Sequence, residues 1–264
     1  MSDILQRSPY TRGILPPVKR AAARLGGGLI DTVLPPRCLS CGAGLGSQGA
    51  LCATCWSEIA FIDGPMCAAC GLPFEFDEGA DAVCGACLQQ PPAYRHHRSV
   101  MQYNDASRSL ILSFKHGDRT DAAPVFGQWL RRAASGLIRE ETVIVPVPLH
   151  RRRLFTRRYN QSALMAKALG RLTGTVVAPG LLRRTRHTAT QGTLSRSARH
   201  KNVAGAFAVH AGHATYVKGA HFLLIDDVMT TGATIEACTK TLMRAGASSV
   251  DVLTLARVVR PRTN

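Results

Sequence analysis

Two groups of residues in this 264-residue chain have the types and spacing to do chemistry. The first is the run FLLIDDVMTTGAT at positions 222–234. Four apolar residues, Phe222 to Ile225, are too few for a helix and fit a strand buried on both faces. The carboxylates of Asp226 and Asp227 follow where that strand should end, then Thr230, Thr231 and Gly232 form a small turn, and Thr234 opens a segment with helical spacing. Open α/β sheets hold ligands at the carboxyl ends of their strands, and helix N-termini attract anions. Carboxylates for sugar hydroxyls beside amides and threonine hydroxyls for a phosphate describe a sugar-phosphate site.

The second group is eight cysteines in four Cys-x-x-Cys pairs: Cys38 and Cys41, Cys52 and Cys55, Cys67 and Cys70, Cys84 and Cys87. Two-residue spacing lets both sulfurs of a pair reach one tetrahedral ion, and two pairs complete the four-thiolate shell of structural zinc. Gly42, Gly71 and Gly85 suit the tight turns of such knuckles. Disulfides fit a reducing compartment poorly, a redox dithiol needs only one pair, and an iron–sulfur cluster is the weaker metal alternative. Two sequential sites are expected, with an interleaved arrangement as the other pairing. Cys238, the ninth, falls on an apolar helix face and reads as core.

The elements that must position these groups follow from periodicity. Residues 1–33 combine a loose tail with a helical pattern from Val18 broken by glycines. Residues 34–90 hold the cysteines, Gln89 to Pro92 form a linker, and residues 93–264 form a second domain. Strands are expected at 93–103, 142–147, 206–209, 222–225 and 250–255, with helices at 107–115, 123–137, 162–170 and 234–245. Strand, helix and strand from 222 to 255 imply a right-handed parallel βαβ unit. Residues 182–202, rich in Arg, Thr, Ser and His, read as a mobile loop able to close over a ligand.

No apolar run approaches the ~18 residues that span a bilayer, and the expected location is cytoplasmic. The formal net charge is +16. Two zinc ions held by eight thiolates would lower it to about +12. Between residues 131 and 200 fourteen arginines and one lysine stand against only Glu140 and Glu141. That excess goes beyond one small anion and suggests a nucleic acid or an acidic partner; a merely soluble basic surface is the plain alternative. Much of it follows the 142–147 strand, where Pro146 and Pro148 stiffen an extended loop. Arg151, Arg152, Arg153, Arg157 and Arg158 there offer forked donors to phosphate oxygens, of a pyrophosphate or of nucleic acid. Lys115 fits either a helix-end cation or a substrate contact.

Residues 222–234 resemble the 5-phosphoribosyl-1-pyrophosphate (PRPP) motif of type I phosphoribosyltransferases at every defining position. Residues 34–257 as a whole resemble the ComF family of competence proteins. The likeness also includes Lys115 with Gly117 and Asp118, Pro146 to Leu149, Asn160 with Gln161, and the series Arg183, Gln191, Arg199 and Asn202 ahead of Ala206 and Phe207. It implies an α/β parallel-sheet type I phosphoribosyltransferase fold preceded by a small double zinc ribbon domain with four cysteines to each ion. Asp226 and Asp227 would hold ribose hydroxyls and are the candidates for catalysis. Thr230, Thr231, Gly232 and Thr234 would hold the 5′-phosphate, Arg151, Arg157 and Arg183 would contact PRPP, and Mg²⁺ would accompany its pyrophosphate. Where the family commonly has Gly, this chain has Arg158. The family is associated with DNA uptake in natural transformation, which implies single-stranded DNA and a competence helicase as partners. Three functions are then in competition: phosphoribosyl transfer to an unknown acceptor, PRPP sensing with single-strand binding but no catalysis, and a scaffold for the helicase. A glutamine-dependent amidotransferase is disfavoured, because no cysteine outside the pairs stands at an N-terminal nucleophile position.

Overall fold

The computed structural model describes residues 35–47, 50–116, 119–186 and 196–259. The broken helix expected before Val33, and Gly117, Asp118 and Gln191, lie outside these, as do the side chains of Arg152, Arg153 and Arg199. The cysteine region contains two short helices, α1 (Ala53–Ser57) and α2 (Gly85–Gln89), each opening at the second Cys-x-x-Cys pair of its half. Then follow β1 (His97–Gln102), α3 (Asp105–His116), α4 (Ala123–Ala133), β2 (Thr142–Pro146), α5 (Arg151–Arg157), α6 (Gln161–Thr173), β3 (Val176–Val177), β4 (Leu182–Arg184), α7 (Arg196–Val203), β5 (Phe207–Val209), β6 (His221–Met229), α8 (Ala233–Arg244) and β7 (Ser249–Arg257).

Five strands form a wholly parallel sheet in the order β1-β7-β6-β2-β3. Its central strands are apolar on both faces because helices cover both. Leu223 and Ile225 of β6 pack with Phe114, Phe126, Leu130 and Met165 from α3, α4 and α6. Phe222 and Leu224, on the alternate face, pack with Ile235, Cys238 and Leu242 of α8. On the first face α4 and α6 cross closely at Gly127, where a Cβ would lie 2.7 Å from that of Ala168. Beside the sheet, β4 and β5 form a separate antiparallel pair.

The expected α/β architecture and the parallel β6-α8-β7 unit are present, while several local expectations need correction. The β6 strand does not end before the acidic pair; its pairing with β7 continues through Asp226, opposite Thr254, to Met229, opposite Arg257. Pairing with β2 stops at Pro146 opposite Ile225. The proline-stiffened loop turns into helix α5 after only four residues, since Arg and Leu are good helix formers once past Pro148. The 182–202 segment is not loop throughout: it starts as β4, which pairs with β5, and finishes in α7.

The cysteine-rich region is fastened to the sheet edge. The Ile62 N–H donates to the Val100 carbonyl at 2.9 Å and the Gln102 N–H to the Ala60 carbonyl at 2.8 Å, so the first half runs antiparallel beside β1. From the second half, the Ala69 carbonyl accepts the His97 N–H at 2.8 Å. At Gly71, φ is +64° and a Cβ would stand 2.4 Å from the His97 carbonyl oxygen. Only glycine fits both that backbone and that approach.

Candidate functional site

The cysteines assemble as two sequential sets, Cys38, Cys41, Cys52 and Cys55, then Cys67, Cys70, Cys84 and Cys87. Within each set the sulfurs lie within 4.8 Å of one another. The Cys41 and Cys52 sulfurs are 3.7 Å apart, and those of Cys70 and Cys84 are 3.8 Å apart. A tetrahedron with metal–sulfur arms of about 2.3 Å has edges of about 3.8 Å, whereas a disulfide would be about 2.05 Å. Backbone amides already prepare thiolates: the Cys52 N–H donates to Cys38 Sγ at 3.3 Å and the Cys84 N–H to Cys67 Sγ at 3.3 Å. Burial pushes the Cys38 thiol up, but the N–H groups of Cys52, Cys41 and Ser40 outweigh it together and bring it down to about 6. Burial opposed by the Cys84 and Cys70 amides likewise brings Cys67 down to about 7. Both sets therefore fit zinc in charge and in size. With four protein ligands each, they leave no open position for chemistry.

The second centre of interest is the crevice between β2 and β6. The strand order reverses there, β3 lying to one side of β2 and β6 to the other, which is where open α/β sheets take ligands. Because β2 stops pairing at Ile225, the last four residues of β6 are uncovered on that side. Asp226 and Asp227 occupy this stretch, both half-buried. Lys115, from the end of α3, pairs with Asp227 at 2.9 Å. The α3 end is itself fixed, as Tyr159 Oη donates to the Phe114 carbonyl at 2.9 Å and Gln161 Nε2 to the Lys115 carbonyl at 3.2 Å. Ser162, in the first turn of α6, donates its hydroxyl to Asp226 Oδ1 at 3.1 Å, and the Asp227 N–H donates to the same oxygen at 2.9 Å. Asn160 caps that helix by accepting the Ser162 N–H and ties it to the β2 loop by donating to the Val147 carbonyl at 3.0 Å. Burial and the neighbouring Asp227 charge raise the Asp226 carboxyl to about 7, with the Asp227 amide, Lys115 and Ser162 opposing them.

Past the acids the chain turns into α8, and Thr230, Gly232, Ala233, Thr234 and Ile235 line one recess together with Asp226, Val228 and Met229. Gly232 is the N-cap of α8 at φ +76° and supplies no side-chain cap. Thr231 Oγ1 is buried without a hydrogen-bond partner. An uncapped helix N-terminus carries unsatisfied amides and partial positive charge, and this one has an unmatched hydroxyl beside it. Here the structure brings Asp226, Thr230, Gly232 and Thr234 together in one recess, with Asp227 and Thr231 their neighbours in the chain.

The arginines are a different matter. Arg151 is exposed at the start of α5, Arg157 is half-buried at its end, and Arg183 is exposed on β4. No hydrogen bond or ion pair among the described residues joins these three to the acidic pair. Arg184, one position on, turns the other way and lies 5.4 Å above the Phe207 ring. Arg158 adopts φ 62°, the left-handed conformation that favours glycine. Sequence reasoning missed Ser162, although its place two residues after the Asn160 cap puts it in the first turn of α6. Lys115 belongs to the acid pair rather than serving only as a helix-end cation.

Comparison with known proteins agrees with both halves of the molecule. Residues 29–88 match the double zinc ribbon domain model and residues 160–262 the phosphoribosyl transferase domain model. DNA utilization protein YhgH of Escherichia coli O157:H7 is 34% identical over 81% of this chain and 93% of its own length. Competence protein F of Haemophilus influenzae is 31% identical over 84% of this chain and 96% of its own. Among solved structures, the glutamine PRPP amidotransferase of B. subtilis aligns with 54% of this chain and 30% of that enzyme, at 18% identity and a TM-score of 0.36, too distant to add to the assignment. With a pair of four-cysteine ribbons fastened to a parallel α/β sheet and relatives matched nearly end to end, the chain belongs to the ComF family of competence proteins.

Proposed function

We propose that the β2–β6 crevice binds PRPP with its accompanying Mg²⁺ and that the protein serves DNA uptake in the cytoplasm as a phosphoribosyltransferase with an acceptor still to be identified. The observation that carries this reading is the 230–234 turn: an uncapped N-terminus of α8 and a buried, unpaired Thr231 hydroxyl directly follow two carboxylates on the same strand. The turn takes the 5′-phosphate, and the acids take the ribose hydroxyls. Departure of pyrophosphate breaks the C1–O bond with an oxocarbenium-like ribose, and the acceptor's nitrogen or oxygen forms the new bond at C1 and loses a proton. Mg²⁺ would offset the leaving charge, and Arg151 and Arg157 add to that at the start and end of α5. Asp226, raised to about 7, is suited to accept the acceptor's proton. A thermal-shift titration with PRPP and Mg²⁺ tests the reading: it should stabilise the wild type and leave the Asp226→Ala/Asp227→Ala protein unmoved. Equal shifts, or none in either, would remove the PRPP assignment.

One observation favours a second activity on the same molecule, single-strand binding. Phe155 is 87% exposed and Leu154 41% exposed, on a helix that runs from Arg151 to Arg157 and is followed by Arg158. An aromatic ring on a cationic helix suits a stacked base. Gel shifts at increasing salt should show binding that weakens with salt and that falls when Phe155 and the α5 arginines are replaced by Ala.

A further inference from the structure

Arg257 ends β7 and is 7% exposed. A buried guanidinium needs a counter-charge, and no carboxylate lies within ion-pair distance of it among the described residues. What faces it is the second cysteine set. Its Nη1 donates to the Cys70 carbonyl and lies 4.0 Å from Cys70 Sγ, while Nε is buried without a partner. The same carbonyl also meets His97 Nδ1 at 2.8 Å, and His97 Nε2 meets the hydroxyls of Thr254 at 2.9 Å and Ser99 at 3.0 Å. His97 Nδ1 must therefore donate, and the ring is satisfied as a neutral one. Arg98 Nη1 donates to the Ala68 carbonyl at 3.0 Å, bringing a second cation to the knuckle. Four thiolates around one zinc carry a net charge of about −2. That is the anion a buried Arg257 requires.

We propose that Arg257 is the counter-ion of the second zinc centre and that it ties the metal to the phosphate turn. The connection is short. Arg257 pairs in register with Met229, and the Val258 N–H donates to the Met229 carbonyl at 2.9 Å. The Met229 side chain in turn packs under Gly232, its Cε 3.0 Å from where a Cβ would sit. Loss of the metal removes the compact four-thiolate centre that Arg257 faces. Arg257 then loses the fixed partner that holds it in place, and its departure frees the end of β7 from β6 just before the turn. Among the described residues the first centre has no such tie, and its Cys41 is exposed where all four cysteines of the second are buried. The counter-ion role is independent of the PRPP reading; only the consequence for a ligand rests on it.

Zinc release from the full chain into the chromogenic chelator 4-(2-pyridylazo)resorcinol tests the pairing. The wild type should give two steps of one zinc each, the exposed first centre fast and the second slow. In Arg257→Met the slow step should quicken tenfold or more with the fast step unchanged, and Arg257→Lys should restore at least part of the difference. An unchanged slow step overturns the proposal, and so does equal acceleration of both steps, which is general destabilisation. Should Arg257→Met fail to fold, hydrogen exchange on the wild type decides. Removing the second zinc should raise amide exchange at residues 229–233 about tenfold, and unchanged exchange there would overturn the coupling. Neither readout uses PRPP, so failure here and failure of the PRPP assignment are distinguishable.

Discussion

Replacing Asp226 by Asn should make the ligand-free protein more stable at neutral and alkaline pH, although it removes a residue of the candidate site. The Asn oxygen can accept the Ser162 hydroxyl and the Asp227 N–H that Asp226 Oδ1 accepts now, at 3.1 and 2.9 Å. What it removes is a charge. Burial, then the Asp227 charge, raise the Asp226 carboxyl from 3.8 to about 7. A carboxyl raised on folding contributes its full stability below the unfolded value and loses it as pH rises through the folded one. The cost of Asp226 therefore grows between about pH 4 and about pH 7 and is level above that. At about 1.36 kcal/mol per unit, three units set a ceiling of about 4 kcal/mol, and local relaxation and water entry reduce this to about 2 kcal/mol. For a chain of this size that is about 4–8 °C in Tm. Circular-dichroism melts of zinc-loaded wild type and Asp226→Asn from pH 4.5 to 8.5 should show a gap that opens with pH and flattens above 7. A gain of the same size at every pH would assign it to packing alone. A loss of stability at pH 8 would mean that the folded protein favours the ionised carboxylate, and the raised Asp226 carboxyl would be refuted.

Two backbone positions give further tests. Arg158→Gly should raise the urea midpoint by the equivalent of about 1 kcal/mol, because φ 62° strains any residue with a Cβ; a lower midpoint would show that the arginine's own contacts outweigh that strain. Gly71→Ala should cost about 3 kcal/mol, since a methyl would press on the His97 carbonyl oxygen from 2.4 Å at φ +64°. Limited proteolysis should then cut the second ribbon free of β1 faster than in the wild type, and an unaltered cleavage rate would contradict the close fit.

What could be read from the sequence and what could not divides along physical lines. Paired cysteines declare themselves because metal geometry restricts their spacing, and both ribbons were legible to the residue. The buried strands β2, β6 and β7 were legible wherever both faces are apolar, as in Phe222 to Ile225. That signal stops at Asp226 because side chains turn polar, yet the ladder is made by backbone groups and carries on to Met229. The strand's polar end was therefore invisible, and with it the link from Met229 across to Arg257. Helix α5 was hidden for the opposite reason: two prolines imposed an extended reading on residues that lie beyond their reach. Short strands such as Leu182–Arg184 make too few contacts to shape a pattern, and their arginines suggested open loop.

The acidic pair shows what the structure adds to a motif that was already plain. Two adjacent aspartates look equivalent in sequence, but among the described residues only Asp227 forms an ion pair. Lys115 pairs with Asp227, and α3 holds it there through the Tyr159 and Gln161 contacts on its last carbonyls. Asp226 is hydrogen-bonded by a hydroxyl and an amide instead, and burial with the adjacent Asp227 charge makes its own charge costly. Under the proposed function the two carboxyls would take different tasks: Asp227, held by Lys115, would meet hydroxyls, and Asp226 would change protonation near neutral pH. Two sugar hydroxyls, one donating to each carboxylate, would relieve the pair by giving Asp226 a further hydrogen bond in its ionised form. Ligand binding at this crevice should therefore release less stabilisation in Asp226→Asn than in the wild type, with the deficit largest above pH 7.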